Sequence, residues 1–166
     1  GMAVHTPAGV IIHTGDFKVD YTPIEGGIID LARFAELGNK GVLALMSDST
    51  NSERPGYTMS ERKVGESFEK LFSQADGKRI IIATFASNIH RVQQIINRAA
   101  ATGRKVAVSG RSMVNVMGKG IELGYLKVPE GVLVDIDMIS RYPAEKMCIV
   151  TTGSQGEPMT ALTRMS

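Results

Sequence analysis

Five short apolar runs punctuate this chain: Val10-Ile11-Ile12, Val42-Leu43-Ala44-Leu45-Met46, Ile80-Ile81-Ile82-Ala83, Val106-Ala107-Val108 and Met147-Cys148-Ile149-Val150. Runs that are continuous rather than alternating mark strands covered on both faces, and separation by amphipathic stretches marks strands that feed crossover helices. The pattern predicts an α/β fold with a mostly parallel sheet and flanking helices. Val64, Phe68, Leu71, Phe72 and Ala75 lay one apolar stripe along a helix of about 59–75; Ile89, Val92, Ile96 and Ala99 mark a second, and Met113, Val114, Met117 and Ile121 a third. Ser87-Asn88 offers an N-cap for the second. Asp76-Gly77, Thr102-Gly103 and Gly124 read as helix ends, because glycine reaches the left-handed conformation that closes a helix. The Pro/Gly/polar stretch Asn51 to Thr58 reads as a long connection and places a boundary near 52–58.

A chain of 166 residues with 43% hydrophobic and 22% charged residues has the makings of a packed core rather than of a disordered segment. No apolar run approaches the roughly 18 residues that span a bilayer, and the first residues lack a signal peptide's basic and apolar regions. The expectation is a soluble cytoplasmic protein without a membrane partner. A single cysteine, Cys148, excludes an intrachain disulfide and a cysteine-rich zinc module, and it reads as a packing residue. Net charge is only +2, yet residues 1–83 carry about −2 and residues 84–166 about +4, which makes the second half the side for an anionic ligand. Scattered solvated charges would give the same balance.

The segments that follow the strands are polar and rich in glycine: Thr14-Gly15-Asp16, Ser47 to Asn51, Thr84 to Arg91, Ser109-Gly110-Arg111-Ser112 and Thr151 to Glu157. Ligands bind at the carboxyl edge of open parallel sheets, where loops converge and helices present free N–H groups. Candidate phosphate contacts along this edge are Ser49, Ser87, Asn88, His90, Arg111, Ser112, Gly153, Ser154, Gln155 and Gly156. Each has an ordinary reading too: glycine turns occur throughout α/β proteins, His90 fits a surface or core histidine, and Asp16 and Asp48 fit turns or caps. His5, His13 and His90 have no metal-ligand spacing, and neither a Gly-x-Gly-x-x-Gly nor a Walker sequence is present.

His13-Thr14-Gly15-Asp16-Phe17-Lys18, Ser47-Asp48-Ser49-Thr50-Asn51, Ser87-Asn88-Ile89-His90-Arg91 and Thr152-Gly153-Ser154-Gln155-Gly156-Glu157-Pro158-Met159, in this order and spacing, resemble bacterial ribonuclease J. That family belongs to the β-CASP branch of the metallo-β-lactamase superfamily, and the resemblance runs from about Val4 to Ser166. It implies that residues 1–52 are the last part of the interrupted metallo-β-lactamase domain and that residues 53–166 are a β-CASP domain truncated at its end.

The resemblance further implies a metal-dependent RNA hydrolase, acting as endonuclease and 5′-to-3′ exonuclease on single-stranded RNA in RNA processing and mRNA decay. Asp16 would be the catalytic aspartate that bridges two divalent ions, commonly zinc. Asp48 would be the catalytic acidic residue of the first β-CASP motif, which orients a histidine that protonates the leaving group. The family's histidine ligands would precede residue 1 and its remaining β-CASP histidines would follow residue 166. The chain thus reads as an inactive central piece that holds no metal alone, taken from an enzyme of two or four copies. The alternative is a noncatalytic α/β module that binds a nucleotide or phosphorylated ligand; a scaffold piece that packs on a missing domain is a third reading.

Overall fold

The computed structural model describes residues 1–24, 26–50 and 52–153. The chain divides into two compact units, Gly1–Lys63 and Val64–Ser166.

In the first unit, β1 (Met2–Thr6) and β2 (Gly9–His13) form an antiparallel hairpin, and β3 (Ala44–Met46) joins β2 in parallel. Helix α1 (Leu31–Lys40) lies between β2 and β3 in sequence. It starts where the Asp30 side chain accepts the Arg33 N–H, a cap that satisfies one of the free donors of the first turn. Leu31, Phe34 and Leu37 fall on one side of this helix, and Phe34 and Leu37 line one pocket with Ile12 of β2. Ile12 and Leu37 are the buried hydrophobic residues of this unit.

In the second unit, β4 (Ile80–Ala83), β5 (Lys105–Ser109), β6 (Leu133–Val134) and β7 (Met147–Thr151) form a wholly parallel sheet in the order β4-β7-β5-β6. The helices are α2 (Glu61–Gln74), which begins before the division between the units, α3 (Ile89–Ala101) and α4 (Arg111–Glu122). Two 3₁₀ turns, Ile136–Arg141 and Ala144–Lys146, lead into β7. The three predicted helices meet in one core: Phe68 and Phe72 of α2, Val92, Ile95, Ile96 and Ala99 of α3, and Met113 and Met117 of α4 pack with Val106, Cys148 and Val150, whereas Leu71, Val114 and Ile121 of the predicted stripes are exposed. Gly77, Gly103 and Gly124, all at positive φ, follow the three helices as the sequence predicts.

The fold class is the predicted α/β, with the apolar runs on two sheets that lie on either side of the predicted boundary. One correction concerns burial: among the described residues only strand β7, inside the four-stranded sheet, is buried along its whole length, although every apolar run is expected to be covered on both faces. At the edges, Ile81 of β4 is 47% exposed and Leu45 of β3 is 62% exposed, because an edge strand lacks the neighbour that covers its flank. Among the described residues no helix is long and apolar enough to cross a membrane.

Candidate functional site

Each unit carries part of the predicted polar edge. In the first unit, parallel pairing of β2 with β3 ends at His13↔Met46. Each strand then continues into a turn bearing an acidic residue, Asp16 after β2 and Asp48 after β3. One more backbone bond follows the pairing, from the Thr14 N–H to the Met46 carbonyl at 3.0 Å. Thr14 is 9% exposed and uses its hydroxyl twice, donating to the Gly15 carbonyl at 2.7 Å and accepting the Asp48 N–H at 3.1 Å. Gly15 takes φ +62, a left-handed turn open to glycine at little cost, and its N–H donates to His13 Nδ1 at 2.9 Å.

The side chain of Asp16 is exposed and that of Asp48 is half-buried. Asp48 Oδ1 accepts the Thr50 hydroxyl at 2.6 Å and the Thr50 N–H at 3.0 Å. These bonds, the hydroxyl first, favour the ionised carboxylate and hold its pKa below the usual carboxylate value. Ser49 is exposed beside it. Among the described residues no three His, Cys, Asp or Glu side chains gather in one group.

In the second unit the register sets Ala83, Thr151 and Ser109 side by side at the carboxyl ends of β4, β7 and β5. Ser87 and Asn88 lie in the turn from β4 to α3. The Asn88 side chain is committed to that helix, its oxygen accepting the Arg91 N–H at 3.1 Å. His90 is exposed in the first turn of α3. Arg111 and Ser112 open α4, both exposed, behind Gly110 at φ +101. Glycine offers no side chain to cap this helix, and Gly110 makes no side-chain cap hydrogen bond to its first turn. Gly153 is buried just after β7 at φ +103, whereas Ser154, Gln155, Gly156 and Asn51 lie outside the described residues. An apolar groove of about 450 Å³, lined by Val108, Val114, Met117, Ile121, Leu133 and Val134 among others, contains none of these candidates.

The predicted edge is thus two edges on two sheets. The first brings together Asp16 and Asp48; the second brings together Ser87, Asn88, Arg111, Ser112 and Gly153. Sequence reasoning passed over Thr14 as a site residue. It stands in the quoted motif, but its partner Asp48 is 34 residues away, and no local pattern links the two.

Comparison with known proteins sets this geometry in a family. The family model described as "Ribonuclease J, beta-CASP domain" matches residues 77–166, more than half of the chain. Ribonuclease J of Synechocystis sp. is 51% identical over 99% of the chain, Ribonuclease J 1 of Streptococcus pyogenes 52% identical over 100%, and Ribonuclease J2 of Bacillus subtilis 46% identical over 100%. The chain spans 26%, 29% and 30% of the lengths of these three proteins. A family model across more than half of its length, and relatives about half identical over the whole of this chain, place the chain in the ribonuclease J family, with residues 77–166 in that family's β-CASP domain.

Proposed function

We propose that the intact protein to which this chain belongs is a metal-dependent ribonuclease that cleaves single-stranded RNA internally and from its 5′ end, in cytoplasmic RNA processing and mRNA decay. The observation that carries this reading is the placement of Asp16 and Asp48 in the turns that follow two paired strands, each in a motif that resembles ribonuclease J. Asp16 would be this chain's ligand to a centre of two divalent ions, zinc by family resemblance, whose other ligands come from outside the 166 residues. The ions would supply charge stabilisation of the phosphodiester undergoing hydrolysis. Asp48, kept ionised by Thr50, would orient a proton-donating group of the intact enzyme.

Residues 1–52 would complete a metallo-β-lactamase domain and residues 53–166 would form the β-CASP domain, in a homodimer or homotetramer. The 166 residues alone would not hydrolyse RNA. Ser49, Ser87, His90, Arg111, Ser112 and the Gly153-Ser154-Gln155-Gly156 segment would line the RNA path. The exposure of Arg111 and the glycine at the N-cap of α4 favour a phosphate contact there.

The test is hydrolysis of a 5′-labelled single-stranded RNA by the intact protein and its variants. Asp16→Ala should abolish cleavage, and Arg111→Ala should raise KM and weaken its dependence on salt, since one phosphate contact is lost. Full turnover by the Asp16 variant would overturn the role given to Asp16, and absence of cleavage by the wild-type protein would overturn the hydrolase reading and leave the noncatalytic binding module.

A further inference from the structure

We infer that Thr14 is a positioning residue, whose hydroxyl fixes the Asp16 turn and the Asp48 turn relative to one another. The inference rests on the reading of Asp16 and Asp48 given above.

Strand pairing between β2 and β3 ends at His13↔Met46, two residues before Asp48 and three before Asp16. Past the bond from Thr14 N–H to Met46 O, the Thr14 side chain takes over from the backbone ladder. A hydroxyl has one proton to donate and lone pairs to accept. Thr14 sends the proton to Gly15 O, on the Asp16 side, and takes the Asp48 N–H on the other. One oxygen thus joins the peptide that precedes Asp16 to the backbone of Asp48.

Neither end of this link is loose. The Gly15 N–H is held by His13 Nδ1, so both polar groups of this left-handed residue are fixed by the two side chains before it. The Asp48 carboxylate is tied to Thr50 through two bonds. Thr14 is nearly buried, so water competes poorly for its oxygen and the hydrogen bonds act at low local dielectric. Valine has the shape of threonine without the hydroxyl and would break both contacts at once; serine keeps them.

The experiment compares Thr14→Val and Thr14→Ser in the intact protein, measuring kcat and KM on single-stranded RNA and amide hydrogen exchange over residues 46–50. Thr14→Val should lower kcat by about 10–100-fold, the scale found when a partner that orients a catalytic ligand is lost, with KM for RNA unchanged. The Asp48 amide should exchange faster in this variant. Thr14→Ser should retain most of the wild-type kcat and the slow exchange. A wild-type kcat in Thr14→Val, or an equal loss in Thr14→Ser, would overturn the inference. If the valine variant does not fold, Thr14→Ala takes its place. If that too fails while serine folds, the hydroxyl serves folding and the positioning role is overturned. Asp16→Ala in the same assay separates the two levels: its full activity would sink the reading of Asp16, whereas its inactivity beside a wild-type Thr14→Val would sink only the role of Thr14.

Discussion

Asp20 Oδ2 accepts the backbone N–H of Glu61 at 2.9 Å, joining residues 41 positions apart and capping the first turn of α2. Asp20 Oδ1 accepts the Thr22 N–H at 3.0 Å, and Lys18 Nζ stands 3.6 Å from Oδ2. The Glu61 N–H foremost, with Thr22, Ser60 and Lys18 adding to it, lowers the carboxyl pKa from 3.8 to about 2.

A carboxylate with a depressed folded-state pKa stabilises the fold above its unfolded value and loses that contribution as pH falls through the folded one. The stability difference between wild type and Asp20→Asn should therefore be full at neutral pH and close between about pH 4 and pH 2. Urea unfolding of both proteins across this range checks it; a gap independent of pH would show that the charge is irrelevant.

Arg104 is 5% exposed, and its guanidinium donates to the carbonyls of Ala75 at 2.8 Å, Lys78 at 2.9 Å and Met147 at 3.3 Å. It thereby ties the end of α2 and the entry to β4 to the start of β7. Arg104→Met keeps an apolar stem but loses all three bonds, and should cost about 2–4 kcal/mol by the usual worth of buried charge-assisted hydrogen bonds. The shift in the urea midpoint measures it, and a loss below about 0.5 kcal/mol, typical of a surface substitution, would contradict this role.

Cys148 is fully buried in β7, and burial pushes its thiol up to about 12, with Arg104 opposing weakly. The thiolate is the reactive form, so the folded protein should not react with an aromatic disulfide reagent at pH 8, and labelling should track unfolding in denaturant. Rapid labelling of the native protein would mean that β7 opens locally.

In the intact protein, Asp16→Ala should abolish RNA hydrolysis with loss of bound metal, whereas Asp48→Ala should lower kcat with metal retained. The contrast follows from a side chain that would ligate an ion against one that would orient a neighbouring group. Elemental analysis beside turnover distinguishes them; loss of metal in both would place Asp48 among the ligands.

Local pattern determined much of this chain. The 3.6-residue stripes of α2, α3 and α4 were legible because each helix buries one face, and Asn88 was legible as a cap because it accepts an N–H only three residues on. The apolar runs of β2, β3, β4, β5 and β7 were legible because short uninterrupted apolar stretches between polar, glycine-bearing segments favour strands. Helix α1 was missed although Asp30, Phe34 and Leu37 carry its cap and face, since Gly38 and Gly41 blur so short a pattern. Strand β1 is an exposed hairpin arm whose residues show no clean alternation, and β6 has two residues defined only by pairing with β5.

Tertiary structure alone decided the rest. The insertion of β7 between β4 and β5 and the hydroxyl of Thr14 linking the turns of Asp16 and Asp48 both depend on residues far apart in sequence. Periodicity records which face of an element is buried; which elements become neighbours is set by packing and backbone pairing across the folded chain, and leaves little trace in any short window of sequence.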